Sequence, residues 1–224
     1  MVTPLADDVW WYDLTGTNAF LVDDGGTTTL VDAGLPVHGT TLVGGLHEAG
    51  AVLRDIDRIL LTHYDTDHVG GLSAFDSVDL TIYVGAADEP ILTGEQAPPL
   101  SNHKGLIQRL GRPFVAAPDN PVETVGDGDT VGSFTVYETP GHTPGHVCYV
   151  SESLSVAFLG DLVRESDGKL RPSPWLINYD TDQLVESIRS FADRAPDFEA
   201  AAMGHGVPFS RGGSERLAEL AATL

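Results

Sequence analysis

Four side chains able to bind a metal ion crowd into Thr62-His63-Tyr64-Asp65-Thr66-Asp67-His68-Val69-Gly70-Gly71. The stretch follows directly on residues 56–61, whose Ile-x-x-Ile-Leu-Leu content reads as a buried strand. Strand ends deliver side chains into the crevice where open α/β sheets bind ligands. A loop leaving such a strand can turn His63 and Asp65 one way and Asp67 and His68 another, as two adjacent metals require. Gly70 and Gly71 let the next helix start close by. Three further candidates hold the same position in the chain. His142 follows a strand at 134–138 through Thr139-Pro140-Gly141, Asp161 follows 156–159 through Gly160, and His205 follows 200–203 through Gly204. A lone histidine is more often a satisfied core or surface residue than a ligand. Four separate strands that each deliver an imidazole or carboxylate at the C-terminal end point to metal binding by His63, Asp65, Asp67, His68, His142, Asp161 and His205.

His63-x-Asp65-x-Asp67-His68, followed by His142, Asp161 and His205, resembles the metallo-β-lactamase-fold superfamily, whose signature is His-x-His-x-Asp-His. Thr139-Pro140-Gly141-His142-Thr143-Pro144-Gly145-His146 is similar to the stretch carrying the next ligand, above all in the glyoxalase II-like branch. Val31-Asp32-Ala33-Gly34 and Met203-Gly204-His205-Gly206 match its other landmarks. The likeness runs from about Asn18 to Gly206. It implies an α/β fold, a four-layer αββα sandwich of two similar αβ halves, with two divalent metal ions at one edge. Carried over by position, His63, Asp65 and His142 would hold the first ion, Asp67, His68 and His205 the second, and Asp161 would bridge them.

Such a centre implies hydrolysis by a bridging hydroxide. Two metals lower the pKa of water from 15.7 toward about 7 and polarise the scissile carbonyl or phosphoryl oxygen. Asp161 and Asp67 are then the catalytic carboxylates, Asp67 both binding metal and orienting the nucleophile. Asp32 and His146 are candidates for holding the ligand imidazoles in one tautomer. Zinc is the first expectation. Asp65 departs from the signature, which has His there, and a hard carboxylate shifts preference toward iron or manganese. The flavodiiron branch resembles this case, with Glu at that position; Asp is one methylene shorter, so Asp65 would reach a metal only through a shift or a water. Tyr64, Trp175 and Tyr179 are aromatics that could line a substrate pocket or simply pack.

The elements that must position these residues alternate between strand and helix. Residues 19–22 and 28–31 flank a hairpin turn at Asp23-Asp24-Gly25-Gly26. Helices are expected at 40–49, stopped by Gly50, and at 69–75, with a strand at 81–84 between the latter and residues 86–120. That Pro-rich stretch reads as an irregular insertion containing one helix at 104–110, and as the lid, because long irregular loops in compact domains are usually functional. Strands at 130–138, 147–150 and 156–159 follow. The clearest helix is 180–192, where Asp180 and Gln183 form a capping box and Leu184, Ile188 and Phe191 share a face. A strand at 200–203 and a helix at 215–222 close the chain. Each half holds a hairpin followed by an acid (Asp32; Asp161) and later a strand ending at a histidine (His63; His205). The 224 residues read as one domain.

Composition narrows the function further. There are 33 acidic against 12 basic residues, a formal net charge of −21, and lysine occurs only at Lys104 and Lys169. The acids are scattered over turns and helix surfaces, as in halophilic proteins, where molar salt screens the self-repulsion. A cytoplasmic protein of a high-salt cell is expected, acting on a small molecule. The field repels nucleic acid and anionic membrane. Cys148 is the only cysteine and lies in the apolar run His146–Val150, which reads as a buried structural thiol. His38, His47 and His103 are assigned to the surface.

The readings differ by chemistry. A hydrolase of a small ester, thioester or lactone draws on the stretch around His142. A phosphodiesterase or nuclease is weakened by the charge balance. A non-haem iron oxidoreductase, of the persulfide dioxygenase or di-iron oxygen- or NO-reducing type, draws on Asp65. A non-catalytic metal-binding protein would need an incomplete ligand set, and one position of the seven departs.

Overall fold

The computed structural model of the protein describes residues 1–100 and 102–224. Seven strands form the first sheet in sequence order: β1 (Val2–Ala6), β2 (Val9–Asp13), β3 (Asn18–Asp24), β4 (Thr27–Val31), β5 (Ile56–Leu60), β6 (Thr81–Gly85) and β7 (Val122–Val125). Neighbours from β1 to β4 are antiparallel; those from β4 to β7 are parallel. The second sheet contains β8 (Thr130–Val131), β9 (Phe134–Glu138), β10 (Val147–Ser151) and β11 (Val156–Gly160). A separate hairpin of β12 (Val163–Ser166) and β13 (Lys169–Pro172) follows, and β14 (Ala200–Met203) returns to pair parallel with β11.

Alternation along the strands builds the layers, because successive side chains face opposite ways. On β3 and β4, Phe20, Val22 and Val31 point inward and meet Phe134, Val136, Tyr149 and Phe158 of the second sheet. Leu21 and Leu30 point outward and pack under α1 (Gly39–Leu46) through Leu42 and Leu46. On the far side, Val150 and Leu159 carry α5 (Thr181–Arg194) and α6 (Gly213–Ala221) through Leu184, Ile188, Phe191 and Leu217. Three apolar seams between four layers are the expected αββα sandwich.

Local outcomes depart from the sequence pattern where packing intervenes. The helix expected at 69–75 starts earlier and stops sooner: α2 (Thr66–Val69) gives way to a 3-10 turn at Leu72–Phe75. Gly70 and Gly71 lie so close to Pro36 and the Ala33 carbonyl that any β-carbon there would collide with them. The insertion holds two helices rather than one, α3 (Glu89–Leu92) and α4 (His103–Gly111). β1, β2, β7 and the β12–β13 hairpin were not expected.

Candidate active site at the sandwich rim

The C-terminal ends of β4, β5, β9, β11 and β14 meet at one rim. β4 leads into Asp32, held in a left-handed conformation (φ 59°) that Asp adopts more readily than most residues. Its Oδ1 accepts the Thr62 N–H (2.9 Å), and its Oδ2 accepts the Thr62 hydroxyl and His68 Nδ1–H (2.8 Å each). The single hydroxyl proton of Thr62 goes to Asp32, so Thr62 Oγ1 can only accept from His63 Nδ1, 3.0 Å away. His142 Nδ1 donates to Asn178 Oδ1 (3.0 Å) and His205 Nδ1 to the Gly16 carbonyl (2.6 Å). Each imidazole therefore has its Nδ1–H committed outward and turns Nε2 into the rim, the arrangement that orients ligand histidines.

The inward donors form two groups, His63 with His142 and Asp161, and Asp67 with His68 and His205, each drawn together within 4.8 Å. Asp161 lies between them. Its Oδ2 is 3.4 Å from His142 Nε2 and 3.1 Å from His205 Nε2, and its Oδ1 is 3.5 Å from His68 Nε2. Asp67 Oδ2 stands 3.4 Å from His205 Nε2. Among the described residues, the buried His63 Nε2, His68 Nε2 and Asp161 Oδ1 have no hydrogen-bond partner. Buried polar atoms are nearly always satisfied, and a divalent cation at Asp67, His68, His205 and Asp161 would satisfy two of these three, with the imidazole and carboxylate donors such ions take.

Electrostatics favour a cation in the second group. Burial opposes charge on His68, but the carboxylates of Asp32, Asp161 and Asp67 outweigh it and lift its pKa to about 10. His205 rises to about 9, its burial outweighed by Asp161. Asp161 stays well below the usual carboxylate range despite its burial, held there by His205, His68 and His142. His63 behaves oppositely: burial and the neighbouring His68 push it down to about 3.

Asp65 lies beside the first group, where it was expected as a ligand of the first ion, but it is engaged from a direction the sequence did not suggest. Its Oδ2 lies 3.3 Å from His63 Nε2 and 3.1 Å from His142 Nε2, but it accepts its shortest bond, 2.6 Å, from Lys104 Nζ on α4. Its Oδ1 accepts from Gln108 Nε2 at 2.8 Å, one turn along the same helix. A buried carboxylate needs a partner, and the insertion provides one: Lys104 is only 3% exposed. Lys104 is a residue that sequence reasoning passed over. Asp88 is another. Fully enclosed, it accepts from Tyr64 N–H, Thr143 Oγ1–H and Gly145 N–H, tying the His63 loop to the His142 loop. Asn18 binds the Met203 and Gly206 carbonyls on either side of His205. His146 does not hold a ligand imidazole. Its Nε2 accepts the Asp161 backbone N–H (3.1 Å) and its Nδ1 faces Thr139 Oγ1 (2.8 Å), so it braces the turn that presents Asp161.

Above the donors lies a pocket of about 150 Å³ lined by Asp65, Thr66, Asp67, Lys104, Ile107, Gln108, Asp161, Ile177 and His205. None of the three aromatics named from sequence is among these residues. Tyr64 is buried and faces a separate pocket of about 560 Å³ beside Arg109 and Arg112. Tyr179 gives its hydroxyl to Gln108 Oε1 (2.6 Å), and Trp175 stands 68% exposed beside His103. The isoleucines of α4 and of the turn at Trp175–Ile177 take the wall positions instead.

The sequence profile of the Metallo-beta-lactamase superfamily matches residues 12–205, a span that takes in every donor above. The chain is similar to the Bacillus subtilis (strain 168) protein named "Probable metallo-hydrolase YflN", at 27% identity over 81% of this chain and 76% of the relative. It is 33% identical to a hydroxyacylglutathione hydrolase of Erwinia tasmaniensis over 63% of this chain and 44% of that one. Among solved structures, TTHA1623 in a di-iron-bound form aligns with a TM-score of 0.71 at 25% identity, covering 96% of this chain and 98% of that one. With a profile match over most of its length and the sandwich to go with it, this chain belongs to the metallo-β-lactamase superfamily.

Proposed function

We propose that the protein is a metal-dependent hydrolase of a small ester, thioester or lactone. The observation that carries the reading is the set of inward Nε2 atoms and carboxylates beneath the 150 Å³ pocket. That volume is below the roughly 300–1,000 Å³ of drug-sized ligand sites, and Ile107 and Ile177 offer apolar surface to a short acyl group. The hydroxyacylglutathione hydrolase supports thioester chemistry. The match covers 44% of that enzyme, so its name supports the class of bond and not the glutathione portion. Asp65, the ground for an iron oxidoreductase, has both oxygens engaged by α4, which favours the hydrolytic reading.

When bound, the metal acidifies its water and polarises the scissile carbonyl. Asp67, whose side chain is 33% exposed, faces the pocket. Its carboxylate takes the proton of the attacking water and returns it to the leaving oxygen or sulfur as the acyl bond breaks. Asp161 remains an anion and fixes the spacing of His68 and His205. Asp32 and the Gly16 carbonyl hold those rings from behind. The zinc or iron identity is read from protein purified without chelators, assayed on p-nitrophenyl acetate, an acyl thioester and a γ-lactone. Asp67→Asn is expected to lower kcat/KM by about 10²–10⁴-fold with the Tm of the metal-free protein unchanged. Absence of metal affinity, or turnover of bis(p-nitrophenyl) phosphate alone, would overturn the reading, as would oxygen uptake without hydrolysis.

A further inference from the structure

We infer that Lys104 takes the place of the first metal. Its ammonium, delivered by α4 among His63, Asp65 and His142, is a tethered cation, so the chain binds a single metal ion at Asp67, His68, His205 and Asp161. The inference rests on the reading above that this second group binds metal.

Geometry supplies the case. Lys104 Nζ lies 2.6 Å from His142 Nε2 and 2.6 Å from Asp65 Oδ2. With its Nδ1–H given to Asn178, His142 has one inward lone pair, and Lys104 takes it. A metal ligated by that nitrogen would have to sit about 2.0–2.1 Å along the same direction, where the ammonium already stands. Asp65 is committed to the same cation: Lys104 Nζ is its shortest contact, through Oδ2, and Gln108 donates to Oδ1. Of the two imidazoles in the first group, only His63 keeps a free inward nitrogen.

The arm carrying the ammonium is itself fixed. Asn102 caps α4 by accepting the Lys104 N–H (2.8 Å) and donates to the Tyr179 carbonyl (2.8 Å). Gln108 donates to the Tyr64 carbonyl (2.7 Å) and receives the Tyr179 hydroxyl. Gly105 touches the Pro99 carbonyl so closely that a β-carbon would collide with it. A lysine wandering on a mobile loop would have none of these partners. The charges also balance. Exchanging the neutral imidazole of the superfamily signature for Asp65 adds one negative charge, and Lys104 adds one positive charge beside it.

The chain has only two lysines, Lys104 and Lys169, so ¹⁵N-lysine labelling yields a spectrum that resolves both ammonium groups. The expected result is one metal per chain after zinc titration and dialysis, with the protected Lys104 ammonium signal persisting in the loaded protein. Lys104→Ala is expected to bind two. Because that variant strands Asp65, Asp65→His/Lys104→Ala is made alongside; it restores the imidazole and is also expected to bind two. Two metals in the unaltered protein with loss of the Lys104 signal overturn the inference and leave the hydrolase reading standing. One metal in both variants likewise overturns it. No metal in any of the three overturns the hydrolase reading, and this inference with it.

Discussion

His68 and His205 meet a metal ion in competition with protons. In the folded protein burial is outweighed at both: Asp32, Asp161 and Asp67 lift His68 to about 10, and Asp161 lifts His205 to about 9. At neutral pH each Nε2 therefore carries a proton that the metal must displace. Affinity is expected to fall as pH falls below 9, by as much as about a hundredfold per pH unit where both protons are released. Calorimetry at pH 7 in two buffers of different ionisation enthalpy checks this: apparent enthalpies that do not differ would mean no proton is released. The same residues show what was readable from sequence. His63, Asp67, His68, His142, Asp161 and His205 were legible because each is a metal-competent type placed just past an apolar strand. Lys104 was not, since a lysine on a short helix amid prolines carries no local sign that it answers a carboxylate 39 positions earlier. Tyr64 was left open between pocket and packing, because a residue between two donors on a loop can point away from them, as it does here.

At the scale of elements, α5 does more than cover the second sheet. Its Asp180 N–H donates to the Gly141 carbonyl (2.9 Å), and the preceding Tyr179 N–H to that of His142 (3.2 Å), so the helix start holds the His142 loop. Asp180 Oδ1 in turn caps the helix by accepting the Gln183 N–H (3.0 Å). Asp180→Ala is expected to cost about 1 kcal/mol, seen as a Tm lowered by roughly 2–4 °C. A thermal melt unchanged within error would show that the cap contributes nothing. This helix was legible because the capping pair and the Leu184, Ile188, Phe191 stripe are local signals. β1 and β2 were not: Pro4 interrupts one, and the other pairs with β3, whose loop carries Gly16 and Asn18 to the His205 turn. The contacts that anchor this meander, from Gly16 and Asn18 to the His205 turn, are distant in sequence and leave no periodic trace. The β12–β13 hairpin is short and largely polar, so it offers no alternation to read.

Across the whole molecule, 33 acidic residues face 12 basic ones. Screening lengths shorten from about 10 Å at 0.1 M salt to about 3 Å at 1 M, so repulsion between surface carboxylates fades as salt rises. The unfolding midpoint is expected to climb by several degrees between dilute buffer and molar KCl, with sodium sulfate and KCl compared at equal ionic strength to separate screening from general salting-out. A midpoint that stays level would remove the case for a high-salt host. Two similar αβ halves were legible at this scale because an acid and a strand-end histidine recur in both, while the four-layer sandwich was implied by the family resemblance. The structure sets each pair side by side, β4 beside β5 and β11 beside β14, both parallel.

The anchoring of α4 governs how anything enters. Swinging that helix aside would part Asp65 from Lys104 and break both Gln108 bonds, and breaking a largely buried pair by removing one partner costs about 3–5 kcal/mol. The doorway therefore keeps the bore it acquires on folding. If the 150 Å³ hollow takes the substrate, guests are expected to be sieved by girth rather than admitted by a gate that opens for them.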